Sequence, residues 1–491
     1  METLPATHLT EKQMVSLIER GLSKSSQRKR VIVVGAGMAG LVTASLLKEA
    51  GHEVWIIEVR ERVGGRVFTV REPFGAGLLY EAGAMRIPDI HLLTWAYINK
   101  FRLPVEPFIN STPNDLIVAN GTKVRVCQYL QDPDILGYPV APGERGLTAE
   151  VLIERAFKPV IDFINQDPER HWPIVIRQYD PYSVEYYLRY NPFLSLSPGA
   201  IEMIKVMTGI EGLYELSFLD ILREYVVLFG ERVKFYQIVG GMDRLPESFL
   251  PQLERNVLFR QKMIRLVKRE EGLAVICEDT QTGEHSCIEG DDVVLTLPFS
   301  TLRFVDVVPY DMFSHKKRTA IRELHYVSAT KIGLQFQTRF WEKQGFCGGK
   351  TIADLPTRFT YYPSGGIGKP GPGVLLASYT WEDDSLNWDS LSQDEAVWQA
   401  LKYIHHIHGD AAYATFQTGH AQSWSKCPYS AGGFVLFKPG QEMDFGDVIP
   451  LPENHVYFAG EHTTKTHAWI QGAIESGVRA AYEVNRDAGS P

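Results

Sequence analysis

The chain has 491 residues, 44% of them hydrophobic and 22% charged, with a formal net charge of −9 and an isoelectric point near 5.9. That length exceeds the roughly 250 to 300 residues at which a single core stops growing, so two or three domains are expected. The acidic balance excludes a sequence-independent nucleic-acid binder, which needs a basic face to neutralise phosphates, and a small-molecule partner fits better.

The opening METLPATHLTEKQM lacks an apolar core and a small-residue cleavage site, so no signal peptide is read there and a cytoplasmic location is expected. Thr10-Glu11-Lys12-Gln13 matches a capping box, and Val15, Ile18 and Leu22 share one helical stripe. Ser23 to Arg30, SKSSQRKR, follows as a polar linker, so residues 1–29 read as a helix and linker.

Arg30 to Glu58 reads as strand, glycine turn, helix, strand and terminal acid. Val31 to Val34 is β-branched and apolar on both faces, as a parallel strand buried on both sides requires. Gly35, Gly37 and Gly40 follow at G-x-G-x-x-G spacing. The first permits a tight turn, the second admits a pyrophosphate to the backbone, and the third lets helix approach strand. Met38 and Ala39 open a helix whose free N–H groups face the phosphates, and Gly51 stops it in a C′ position. After the strand Glu53 to Ile57, Glu58 stands near the roughly 20-residue spacing at which a carboxylate meets ribose hydroxyls. The uncharged run Val31 to Leu47 carries these glycines and is strand plus helix rather than a membrane span.

Arg60 to Arg66, RERVGGR, sets a second glycine pair, Gly64 and Gly65, beside Arg60 and Arg66, which suits another backbone approach to a pyrophosphate. Tyr80 to Pro88, YEAGAMRIP, is rich in small residues and carries Arg86; a helix is expected over Ile90 to Phe101. Between Asp132 and Tyr225, prolines and aromatics interrupt helical segments such as Ala149 to Ile164, Ser183 to Tyr190 and Pro198 to Met207, which reads as an inserted helical domain. Strands resume over Val257 to Lys268, Leu273 to Asp279 and Asp291 to Leu297, which makes the nucleotide domain discontinuous.

Lys331 to Phe336, Phe359 to Tyr362 and Val374 to Tyr379 alternate as strands of a mixed sheet carrying a second site. The acidic run Glu382-Asp383-Asp384 reads as a solvated loop face or as an attractant for a basic substrate. Glu395 to His408 is a helix whose HHIH ending lacks acidic support for a metal, so no metal is expected. Val456 to Gly460 is a buried strand and Gln471 to Asn485 a final helix. The five cysteines are odd in number and never form C-x-x-C, which argues for a reducing compartment over a disulfide scaffold.

Three stretches, VIVVGAGMAG with Glu58, ERVGGR, and YFAGEHTTKTHAWIQGAIESGVRAA, resemble the flavin-containing amine oxidase superfamily, and the match spans about the whole chain after residue 30. YEAGAMRIP, SATKIGLQF, RFWE, GGKTIADLPTRFTYYP and HAWIQG make the chain most similar to L-amino-acid oxidases. The resemblance implies an α/β fold: a Rossmann-like FAD-binding domain (30–71, 232–322 and 430–487), a mixed-sheet substrate domain (72–130 and 323–429) and a helical insert (131–231). It implies oxidation of an L-amino acid to its imine, hydrolysis to 2-oxo acid and ammonia, and return of the electrons to oxygen as hydrogen peroxide. The partners are then an L-amino acid and oxygen, in a homodimer or higher homo-oligomer.

Carried over residue by residue, the resemblance puts Arg86 and the Tyr379 hydroxyl on the substrate carboxylate. A carboxylate in an apolar pocket needs such a bidentate cation, and a phenol keeps an apolar body toward the substrate. Lys331 matches the lysine that holds a water near the flavin and is expected to be partly buried with a lowered pKa. Trp424 and Trp469 line flavin and substrate, Ala468 stands where some relatives have glycine, and Ile470 opens a helix whose N–H groups face the flavin. Gly83, Ala84, Met85, Gly460 and Glu461 fall on the cofactor as well, and Met263 on its adenine through the backbone. Tyr429-Ser430-Ala431-Gly432-Gly433-Phe434 lacks the cysteine that tethers flavin in monoamine oxidases, so FAD is expected to be non-covalent. Large apolar or aromatic side chains are the expected substrates; monoamine or polyamine oxidation, a basic-amino-acid specificity, and a flavin-free binding scaffold are the alternatives.

Overall fold

The computed structural model describes residues 9–75, 77–191, 193–229 and 233–488. The start of the stretch read against a signal peptide, and the expected boundary at 231/232, lie outside the described residues.

A five-stranded parallel sheet is assembled from distant stretches, in the order Val257–Leu258, Glu53–Ile57, Arg30–Val34, Asp292–Leu295 and Val456–Phe458. Strands apolar on both faces must be covered on both. Val31 and Val33 face the helices Met38–Ala50 and Ile470–Asp487, whereas Ile32 and Val34 face a second sheet. The two helices meet closely because Gly477 has no side chain: a Cβ there would sit 2.6 Å from the Ala39 carbonyl oxygen. The N-terminal helix Glu11–Arg20 has the expected capping box and buries Met14 and Ile18 in the same core.

The second sheet runs His285–Gly290, Leu273–Asp279, Gln261–Lys268 and Asp306–Val308. The stretch Val257 to Lys268, expected as one strand, is therefore two in different sheets. Arg260, between them, takes a positive φ of 62° that turns the chain, and side-chain patterning alone carries no sign of it.

A seven-stranded mixed sheet follows the order Phe416–Ser423, Ala329–Phe336, Gly373–Trp381, Phe359–Tyr361, Lys350–Ala353, Leu116–Ala119 and Thr122–Arg125. Ile332, Leu334 and Phe336 pack beneath the helix Gln393–His408, while Phe359, Tyr361 and Leu376 join the core of the helical segments. Those segments are Ala149–Gln166, Pro168–Tyr179, Val184–Tyr190, Pro198–Thr208 and Phe218–Phe229. The first buries Leu152, Ile153, Ala156, Phe157, Val160 and Ile164 at helical spacing, so its polar face is left to solvent.

Among the described residues no helix is long and apolar enough to cross a membrane, and no group of three or more His, Cys, Asp or Glu could hold a metal ion. In the HHIH run, His408 is buried against the Tyr362 hydroxyl and Gln344 at 2.7 and 2.6 Å, and burial holds its pKa down at about 3.

Candidate active site

A cavity of about 730 Å³ lies between the parallel sheet, the mixed sheet and the helical segments. At one end two glycine turns face each other. Gly35 has φ +108° and its N–H donates to the Ile57 carbonyl at 2.7 Å. A Cβ on Gly40 would overlap the Gly35 carbonyl oxygen, so Gly40 packs helix on turn from behind the cavity wall. Gly37 does the opposite: a Cβ there would meet nothing within 4 Å, and the residue lines the cavity with Met38 and Ala39. Gly64 and Gly65, at φ +97° and +57°, close the second turn, with Gly64 bridged to Gly37.

Glu58 is buried beside these turns and accepts the N–H groups of Ala36 and Arg60 at 2.8 and 2.9 Å; burial raises its pKa against those bonds. Its own carbonyl accepts the Gln261 N–H, which brings Met263 to the same end. The Arg60 guanidinium donates to Cys427 Sγ at 2.8 Å. Facing glycine turns, a helix N-terminus and a carboxylate fit the pyrophosphate and ribose of a dinucleotide.

Along the middle of the cavity, Arg66 pairs with Glu461 at 2.8 Å, and Glu461 also accepts the N–H groups of Val435 and Ala468. Gly460, Gly83, Ala84 and Met85 line this stretch. Trp424 is fixed by a 2.8 Å bond from its indole to the Ala82 carbonyl. Ala468 has φ +65°, a conformation that glycine adopts freely and alanine only at some strain. Trp469 is the N-cap residue of the last helix, which Ile470 opens toward the cavity.

Lys331 is more deeply placed than its sequence suggests. Only 2% exposed, it donates to the Gly83 and Glu81 carbonyls at 2.6 and 3.2 Å, and burial lowers its pKa to about 7. Glu81 is itself pushed up to about 7 by burial.

At the far end stands Arg86. Its guanidinium donates to Asn110 and, at 3.3 Å, to the Tyr361 hydroxyl, and lies over the Phe235 ring. An ion pair with Glu81 or Asp89 would have explained it, but Glu81 accepts from Thr69 and the Met242 N–H, and Asp89 from the Lys234 N–H. Among the described residues no carboxylate pairs with Arg86. Tyr379 lines the cavity beside Trp381, ring centroids 4.7 Å apart, its pKa pushed up to about 12 by burial. Ile153, Ile210, Leu213, Ile221 and Tyr225 complete the wall from the helical segments.

Residues 38–485 match the sequence profile of a family described as flavin containing amine oxidoreductase. The chain belongs to that family. This amine oxidoreductase is 51% identical over 478 residues to the "Putative L-amino-acid oxidase YobN" of Bacillus subtilis (strain 168), covering 97% of this chain and 99% of that one. It is 34% identical over 475 residues to an L-amino-acid oxidase of Siganus canaliculatus, covering 96% and 88%. Its fold is shared with cyclohexylamine oxidase from Brevibacterium oxydans IH-35A, at a TM-score of 0.74 and 18% identity over 94% and 98% of the two chains. A flavin cofactor comes with the family, and the donor set around Gly37, Gly64 and Glu58 fits its dinucleotide end.

Sequence reasoning about this amine oxidoreductase missed Glu224, Tyr361 and Asn110. Glu224, on the helix Phe218–Phe229, lines the cavity, and both its oxygens lie 3.0 Å from the Trp469 indole nitrogen. Burial lifts its pKa to about 8. A glutamate on an amphipathic helix reads as surface, so no local signal marks it. Burial alone would raise the Tyr361 phenol, but the charges of Arg86 and Lys350, with the Arg86 hydrogen bond, together leave its pKa below the ordinary value. The acidic run needs correction as well. Glu382 takes the Ser328 N–H at 2.9 Å and His325 at 3.1 Å, and Asp384 sits 3.4 Å from Arg358, so these two carboxylates are structural rather than a free attractant.

Proposed function

We propose that the protein is an FAD-dependent L-amino-acid oxidase that turns L-amino acids into 2-oxo acids, ammonia and hydrogen peroxide. The observation that carries this is Arg86, a guanidinium at the substrate end of the cavity with no carboxylate of its own among the described residues. A cation so placed is matched by a ligand that brings the anion, and simple amines bring none. The 34% identical relative named for this activity supports the same reading.

When bound, FAD supplies a two-electron acceptor that oxygen can reoxidise. The chain's part is positioning. Gly35, Gly37, Gly64 and Gly65 hold the pyrophosphate and Glu58 a ribose, with the Met263 backbone at the adenine. Arg66 and Glu461 brace the middle of the cofactor, and Trp424, Trp469 and the helix opened by Ile470 flank the flavin. Arg86 and Tyr379 fix the substrate carboxylate, with Ala468 near its Cα, and Lys331 holds or releases a proton at Nζ near neutral pH. Attachment is non-covalent, since residues 429–434 contain no cysteine. The wall of Ile153, Ile210, Leu213, Ile221 and Tyr225 favours large apolar or aromatic side chains. A homo-oligomer in a reducing, cytoplasmic setting completes the proposal, consistent with five free cysteines.

The test is peroxide release from purified, yellow protein with each L- and D-amino acid and with simple amines. Turnover of amines without turnover of L-amino acids would overturn the reading.

A further inference from the structure

Among the described residues three carboxylates line the cavity, and two are accounted for: Glu58 by two backbone N–H groups and Glu461 by Arg66. Glu224 is different. Its one donor is the Trp469 indole, and no cation lies within ion-pair distance among the described residues. Two neighbouring acids, Asp220 and Glu442, are engaged. Asp220, one turn earlier on the same helix, accepts from Arg223 at 3.2 Å and lies 3.3 Å from His467, while Glu442 takes Arg223 and Lys465. Glu224 shares its helix with Ile221 and Tyr225, which belong to the apolar wall opposite the mixed sheet.

We infer that Glu224 is a specificity determinant that admits substrates with a cationic side chain, pairing with a guanidinium or ammonium at the end of the chain whose carboxylate Arg86 holds. This rests on the amino-acid reading of the site. It adds a second substrate class to the apolar one. With its proton on, Glu224 is a neutral wall that tolerates an apolar side chain. With its proton off, it is a half-buried anion facing the cavity, and its natural partner is a ligand cation.

The groups facing Glu224 agree with this. Burial is the largest influence on its proton and raises its pKa to about 8. Asp220 adds to the rise, while the Trp469 bond, His467 and Arg86 oppose it. Tyr379 feels the Glu224 charge from the mixed sheet, and Glu150 and Glu154 on the helix Ala149–Gln166 act on neighbouring Tyr225. None of these is a cation in contact with Glu224. A ligand cation would therefore displace the proton on binding below pH 8, and would find the anion ready above it.

The experiment is calorimetry on the FAD-loaded protein with 5-guanidinopentanoate and its neutral isostere 5-ureidopentanoate. Both carry the carboxylate and chain length of a basic substrate but lack the α-amine, so neither is oxidised. At pH 7 the guanidino ligand should bind at least about tenfold tighter than the ureido ligand and release about one proton per site, read from buffers of different ionisation enthalpy. At pH 9 the release should vanish while the preference remains. Glu224→Gln keeps an oxygen for the Trp469 indole and should abolish both preference and release. Equal affinities in the wild type, or proton release that persists in Glu224→Gln, would overturn the inference while leaving the Arg86 reading intact. Binding of neither ligand would overturn the Arg86 reading and this inference with it.

Discussion

Lys331 and Tyr379 are direct cross-strand partners in the mixed sheet, and the Lys331 Nζ lies 4.3 Å from the centroid of the Tyr379 ring. The same Nζ is bound by the carbonyls of Glu81 and Gly83, in the segment that reaches Arg86 three residues later. One lysine thus ties together the two elements that carry the proposed carboxylate anchors. Central strands supply the rigidity, since Ala329–Phe336 is buried along its whole length.

That placement makes Lys331 testable apart from substrate binding. Burial holds its pKa at about 7, so Nζ is cationic below that pH and neutral above it. A cation favours electron transfer to oxygen, and reoxidation of the reduced protein should slow as pH rises through about 7. Lys331→Met should lower that oxidative step about tenfold or more and remove its pH dependence, within the range ascribed to a positioned proton-bearing group. Rapid mixing with oxygen after anaerobic reduction separates the steps. A loss confined to the reductive half would assign Lys331 to the substrate instead.

The same shift has a consequence for stability. The folded pKa of about 7 lies below the ordinary 10.5, so between those values the unfolded chain binds more protons than the folded one. The contribution of Lys331 to stability is therefore lowest below pH 7 and rises toward pH 10.5. Lys331→Met cannot charge, so its urea midpoint should gain on the wild type as pH is lowered from 10 to 7. A constant difference across that range would show that Lys331 is not held neutral by burial.

Arg86→Ala should leave the protein yellow but reduce kcat/KM for L-amino acids about 100-fold or more, the scale of losing one partner of a buried hydrogen-bonded charge pair. Arg86→Lys should recover only part of that, because a point charge cannot grip a carboxylate at two points. Unchanged steady-state kinetics in Arg86→Ala would reject the anchor.

The two halves of the site were unequally legible in the sequence. The turn at Gly35, Gly37 and Gly40, the helix to Ala50 and the strand to Ile57 are local structures, set by glycine spacing and strand patterning, and the fold places them as read. The proposed substrate end is assembled from side chains far apart in the chain. Arg86 is backed by Asn110 and by Tyr361, and Trp469 is held by Glu224 from the helical segments. No periodicity links those positions. Glu224 in particular sits in LDILREYVVLF, where one glutamate among apolar residues reads as the outer face of a helix, and only tertiary packing turns that face inward.

Flavin attachment can be read directly. Residues 429–434 offer no thiol, and Cys427 just before them is engaged by the Arg60 guanidinium at 2.8 Å, at the dinucleotide end of the cavity. Acid precipitation should therefore release all the yellow colour into the supernatant as intact FAD. Flavin retained in the pellet, and lost from it in Cys427→Ser, would show a covalent bond and overturn the non-covalent expectation.

Gly37 and Gly40, three residues apart, should fail in opposite ways. A methyl on Gly40 overlaps the Gly35 carbonyl oxygen, so Gly40→Ala must push the helix off the turn and should unfold at lower temperature even without cofactor. A methyl on Gly37 meets nothing within 4 Å, and its φ of −75° is open to any residue. Gly37→Ala should then fold with a Tm close to that of the apoprotein. Its methyl would stand in the space a pyrophosphate needs, and the purified protein should lose most of its absorbance near 450 nm. Comparing the 450 to 280 nm ratio with apoprotein melting resolves the two. If Gly37→Ala stays fully yellow, the dinucleotide does not pass over that turn.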